Sequence, residues 1–158
     1  MIKKHVYQKD YNGCAVASVA MLANVDYYVA RRAIFPKIDH HHCRGYLEFD
    51  MYDEIPCVED SQLFTGMRRL GLKIRHYEVN NLSANHIYYR LKNDALFTMD
   101  IGNHGYHGCT HCYAWDAKNK KLYDPSEHVE GYTTFSLNHI LNTRAYKIVH
   151  VVEVIGRK

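Results

Sequence analysis

Four residues of this chain have types and spacing suited to nucleophilic acyl transfer: Gln8, Cys14, His111 and Asp124. A polar run, Gln8-Lys9-Asp10-Tyr11-Asn12-Gly13, ends at Cys14, and the small apolar residues CAVASVAMLAN follow at once. That layout puts a thiol in the first turn of a buried helix. The N-terminal end of a helix carries partial positive charge and unpaired N–H groups, which favour an anion and lower a thiol pKa. His111 opens the stretch His-Cys-Tyr-Ala-Trp, where an imidazole could take the thiol proton and later return it to a leaving group. Asp124 follows Lys121-Leu122-Tyr123 and precedes Pro125, so a hairpin would carry its carboxylate beside His111 and fix the ring. Gln8 stands six residues before Cys14, and its side-chain amide could join the Cys14 backbone N–H in holding a developing oxyanion.

Each of these residues also has a plainer reading. A free cysteine is commonly a small buried hydrophobe. Gln8 could be a surface amide, Asp124 a turn-initiating residue before proline, and His111 a hydrogen-bonded structural histidine, with His104 and His107 as competitors for the role of base. Metal binding is a rival chemistry. Cys109 and Cys112 have the spacing of half a zinc site, and Cys43 with Cys57 or one of His40, His41 and His42 would complete four ligands. No clean second half-site accompanies them, so the histidine run is read as a solvated loop and no metal or cofactor is expected. Alternation along the strand further sends His111 and Cys112 to opposite faces, with Cys112 entering the core.

The elements that must position these groups are readable in outline. Apolar residues make up 47% of the chain, enough for a packed core, and the length of 158 residues fits a single domain over 1–158. Helices are expected over 14–24, with Asn12 as cap; over 26–33, capped by Asp26 and stopped by Pro36; and over 60–70, stopped by Gly71. Residues 39–56 read as a polar loop. Strands are expected over 73–79, 95–101, 110–117, 121–123 and 145–155, with short helices over 83–91 and 136–141. The run Asp116-Ala117-Lys118-Asn119-Lys120 reads as a hairpin turn. The pairs Tyr27-Tyr28 and Tyr88-Tyr89 read as amphipathic core packing with hydroxyls at the rim. Helices first and an antiparallel sheet afterwards is the pattern of an α+β domain.

Composition narrows the partners. A formal charge of +3, with no long basic run, argues against nucleic acid. No segment has the length and apolarity of a membrane span or the form of a signal peptide. Five irregularly spaced cysteines argue against a secreted disulfide scaffold and for a reducing, cytoplasmic setting.

Taken together, Gln8, Asn12-Gly13-Cys14-Ala15-Val16-Ala17-Ser18, His111-Cys112-Tyr113-Ala114-Trp115-Asp116 and Leu122-Tyr123-Asp124-Pro125 resemble the papain-like cysteine peptidases. Within them, they resemble the bacteriocin-processing peptidases that cut after double-glycine leaders. The resemblance implies a papain-like α+β fold in which Cys14 is the nucleophile, His111 the base, Asp124 the orienting residue and Gln8 the oxyanion donor. It implies a peptide or protein substrate. Deamidation or transfer to an amine would use the same parts. The alternatives are a non-catalytic binding module on the same fold and a zinc-stabilised protein using the His- and Cys-rich segments.

Overall fold

The computed structural model describes residues 1–9, 12–37, 58–78, 91–100, 110–126, 134–135 and 147–158. Among the described residues three helices come first, α1 (Cys14–Ala23), α2 (Tyr27–Ile34) and α3 (Asp60–Arg69). Six strands follow, β1 (Leu72–Glu78), β2 (Ala95–Asp100), β3 (Thr110–Asp116), β4 (Lys121–Tyr123), β5 (Thr134–Phe135) and β6 (Lys147–Arg157). They form one sheet in the order β1-β6-β2-β3-β4-β5, and every paired neighbour is antiparallel. The architecture is α+β, as the order of elements in the sequence implies. The short helices expected over 83–91 and 136–141, and the loop expected over 39–56, fall essentially outside the described residues. No helix among the described residues is long and apolar enough to cross a membrane.

The helices form where local chemistry permits. Asp26 caps α2, its carboxylate accepting from the Tyr28 N–H at 2.9 Å, and the helix runs one residue past the expected end before Pro36. Glu59 and Gln62 close a reciprocal capping box at the start of α3. Gly71, at φ +80°, ends that helix and turns the chain into β1. The start of α1 differs from expectation. Its cap is Gly13, not Asn12, and no side chain closes it. The first-turn N–H groups are therefore left for the thiol and for whatever binds beside it.

Every residue of α1 from Ala15 to Leu22 is buried. A helix apolar all round must be covered on every side. It packs with α2, α3 and one face of the sheet, the face bearing Leu96, Cys112, Ala114, Val152 and Val154. The opposite face carries a second cluster built on Phe97, Met99, Tyr113, Trp115, Leu122 and Val151. On that face Glu153 is buried, and its carboxylate accepts from Arg75 at 2.7 Å, Tyr77 at 3.0 Å and Asn93 at 2.8 Å.

The helix layer is tight where α3 crosses α2. A Cβ placed on Gly66 would lie 2.5 Å from Ile34 Cγ1 and 2.9 Å from Ile34 Cα. Alanine there gains about 0.5–1 kcal/mol of helix propensity and meets an overpacking cost of about 1–3 kcal/mol. Backbone cannot yield as a side-chain tip can, so the cost wins. Gly66→Ala should lose about 1–2 kcal/mol, read as a lower urea midpoint at unchanged slope.

Candidate active site

Cys14 is the first residue of α1, half-buried, with the Ala17 N–H bonded to the Gly13 carbonyl at 2.9 Å just behind it. Helix α1 lies against β3, the strand that carries His111 and Cys112. The turn after β3 is held by Asp116, whose carboxylate accepts from the Lys118 and Asn119 N–H groups at 3.0 and 3.1 Å. Lys120 at φ 55° completes the reversal. Pairing of Ala114 with Tyr123 then sends the chain back along β3, so the next residue, Asp124, arrives beside His111. The hairpin expected from the sequence makes this juxtaposition, and His111 Nε2 donates to Asp124 Oδ1 at 2.8 Å.

The remaining geometry tightens that pair. Asp124 Oδ1 also accepts from the Ser126 N–H at 2.9 Å, and the Ser126 hydroxyl lies 3.4 Å from His111 Nε2. Tyr113 meets the His111 ring edge-on, with centroids 4.6 Å apart. His5 Nε2 donates to the Asp124 carbonyl at 2.6 Å, and the Gln8 N–H donates to the Pro125 carbonyl at 2.8 Å. The N-terminal segment thus runs alongside the residues that follow β4, which fixes half-buried Gln8 next to the Asp124 turn. With Nε2 given to Asp124, Nδ1 is the ring nitrogen left for Cys14, which lies close enough for its sulfur and the ring to shift each other's pKa.

The electrostatics follow. The Cys112 thiol, hydrogen-bonded to Cys14, holds the Cys14 thiol well below its usual range; burial opposes this, and the His111 hydrogen bond and charge add to it. Burial works against charge on His111, yet its bonds to Asp124 and Cys14 carry it up to about 10. Burial likewise opposes the Asp124 carboxylate, and hydrogen bonds from His111 and Ser126 overcome it, lowering its pKa. Cys112 is pushed up by its bond to Cys14 and by burial, and so stays protonated. Both directions favour a thiolate beside an imidazolium.

Cys14, His111 and Asp124 come together here, and the Gln8 backbone is bound to the Pro125 carbonyl alongside. Cys112, Ser126 and His5 join them unforeseen. Cys112 is buried, as alternation predicts, but its sulfur adjoins the nucleophile, and it also contacts the Thr98 hydroxyl at 3.8 Å. Alternation could show its face, and only the placement of α1 over that face shows its neighbour. Of the zinc ligands considered above, all but Cys112 (Cys43, Cys57, Cys109 and His40 to His42) lie outside the described residues, as do His104 and His107.

No protein-family model matches the sequence. No curated protein matches it either. Solved structures do match. One is the peptidase domain of Streptococcus ComA, a bi-functional ABC transporter involved in a quorum-sensing pathway. The TM-score is 0.57 at 14% identity, and the match covers 93% of this chain and 93% of that domain. The chain has the fold of that peptidase domain, in agreement with the papain-like resemblance of its motifs.

The electrostatics give a pH prediction. A positive ring beside the sulfur favours the thiolate, so thiolate persists as pH falls below the ordinary thiol value of about 8.5. Iodoacetamide should alkylate Cys14 rapidly near pH ~6 and leave Cys112 untouched, as peptide mapping would show. In His111→Ala the alkylation profile should move up toward the ordinary thiol range.

Proposed function

We propose that this chain is a cysteine hydrolase, a peptidase, working through Cys14, His111, Asp124 and Gln8. The observation that carries the reading is the 2.8 Å bond from His111 to Asp124, with Cys14 at the start of α1 near enough to feel the His111 charge. The likeness to a peptidase domain supports it.

The reaction begins from the thiolate–imidazolium pair. The sulfur attacks the substrate carbonyl carbon, and the carbonyl oxygen takes the negative charge. The Gln8 side-chain amide and the Cys14 backbone N–H donate to that oxygen, an arrangement worth about 3–4 kcal/mol per donor. The tetrahedral species collapses as His111 gives its proton to the departing amine, leaving an acyl-thioester on Cys14. His111, now neutral, takes a proton from water, which attacks the thioester and releases the acid. Asp124 keeps the ring in one orientation and tautomer through both halves. The substrate is a peptide or protein, and the setting is the reducing cytoplasm, where the nucleophile stays a free thiol.

A peptide library incubated with the chain tests this, with new termini read by mass spectrometry. Cleavage should appear with the native chain and vanish with Cys14→Ser at unchanged thermal stability. Gln8→Ala should lower turnover by about a hundredfold or more, and Asp124→Ala should slow it less than His111→Ala. Peptides left intact but converted from amide to acid at a side chain would make the enzyme a deamidase. No Cys14-dependent product of either kind would overturn the hydrolase reading.

A further inference from the structure

On the helix-facing side of the sheet, away from the relay, three ligand-type side chains meet. They are His76 on β1, His150 on β6 and Asp60 at the start of α3. One nitrogen or oxygen from each lies within 4.8 Å of the others. His76 Nε2 and His150 Nδ1 are 3.0 Å apart, and their rings are stacked with centroids separated by 5.2 Å. The Phe64 ring, centroid 4.9 Å from that of His76, flanks the pair.

The backbone is shaped to present this pair. Thr98 pairs with His150 while Met99 pairs with Ile148, so Val149 is an extra residue in β6. A bulge of this kind re-aims the side chains that flank it. Without it, Ile148 and His150 would share a face. With it, Ile148 enters the far cluster and His150 joins the helix-facing side. The phase of β1 does the rest, since His76 shares the face of Ile74, which packs on the α1 core.

We infer that Asp60, His76 and His150 form a binding site for a divalent transition-metal ion of the zinc class. Two imidazole nitrogens at tetrahedral positions around zinc, with Zn–N bonds of about 2.0–2.1 Å, stand about 3.3 Å apart. The observed 3.0 Å lies near that edge, so the two nitrogens are spaced much as two ligands of one ion would be. A shared proton would join the two nitrogens and leave the carboxylate outside. A divalent cation engages all three groups. Two nitrogens and one carboxylate suit zinc, cobalt or nickel; magnesium and calcium require more oxygen ligands. Three protein ligands leave a fourth position for water or another donor, and Asp60 is exposed, so that position opens to solvent.

The site shares its sheet face with the nucleophile. His150, Thr98 and Cys112 stand opposite one another on β6, β2 and β3. The cation would therefore sit about 10 Å, two strand spacings, from the Cys112 thiol. The ligands come from three elements with no sequence motif in common, unlike the cysteine-based zinc sites weighed above. The three ligands stand in the fold whether or not Cys14 acts as a nucleophile.

Zinc and cobalt titrations of the full chain carrying Cys14→Ser test this, because that substitution removes the nucleophilic sulfur as a competing ligand. One equivalent should bind, and cobalt should show no thiolate charge-transfer band. His76→Ala and His150→Ala should each weaken binding by about tenfold or more, and Asp60→Asn by about tenfold. Nitrogen-15 NMR of the histidine rings in the unsubstituted chain gives a readout that does not depend on how a variant folds. His76 Nε2 and His150 Nδ1 should shift together on addition of one equivalent of zinc. Absence of stoichiometric binding, or binding that survives both histidine substitutions, would overturn the site. Unmoved signals from those two nitrogens with zinc bound would do the same.

Discussion

Helix α1 has no polar face to give to solvent, and from Ala15 to Leu22 it is enclosed by two helices and a sheet. A helix held in this way cannot slide or roll without opening a cavity, at a cost of kilocalories per residue disturbed. Its N-terminal end is where the enclosure stops, because Cys14 is only half-buried. Cys14, the proposed nucleophile, therefore sits at the open end of an otherwise enclosed helix. Ala15, Ala17 and Ala20 are small and buried, so the elements around α1, β3 among them, can approach it closely. Larger residues would lift the helix off the strand, and the relay would lengthen.

Two carboxylates, Glu153 buried and Asp124 half-buried, show how the fold separates structure from chemistry. Glu153 is closed on all sides by donors, among them Arg75, whose charge does not titrate in the working range of a protein. Its neighbours leave it no proton to exchange, and it ties β6 to β1. Asp124 has instead an imidazole and the groups of Ser126 as its donors. Its main partner can gain and lose a proton. Charge on Asp124 stabilises charge on His111, and charge on His111 stabilises the thiolate. The desolvation cost of each ion is offset by the next member of the row.

Much of this was legible in the residues. The small apolar run after Gly13, the Asp26 cap, the Gly71 stop and the hairpin from Asp116 to Lys120 are local signals, and local signals survive folding. From the hairpin alone the meeting of Asp124 with His111 could be drawn. Other features depend on register between distant strands. The alternation of β1 gave no reason to prefer either face. In the structure, Ile74 and His76 face the helices, and Arg75 and Tyr77 face Glu153. His76 and His150 are 74 positions apart in the chain, and only the β1–β6 pairing with its bulge makes them neighbours. The cap of α1 was misread for a different reason. Asn12 has the better intrinsic capping chemistry, but a capping side chain would occupy the first-turn N–H groups that Gly13 leaves open.

A shared fold at 14% identity over 93% of two chains is consistent with this division of labour. The packing demands are demands on pattern: small residues along α1, alternation in the strands, a glycine where φ must be positive. Many sequences satisfy a pattern, so identities can drift while the backbone persists. Chemistry makes a narrower demand, for particular atoms at a few points. The sulfur of Cys14, the imidazole of His111 and the carboxylate of Asp124 come from a helix start, the outer end of a strand and the turn beyond its partner strand. Those places are where regular backbone hydrogen bonding ends and where solvent can enter. Side chains there can change their partners during a reaction while the core behind them stays packed.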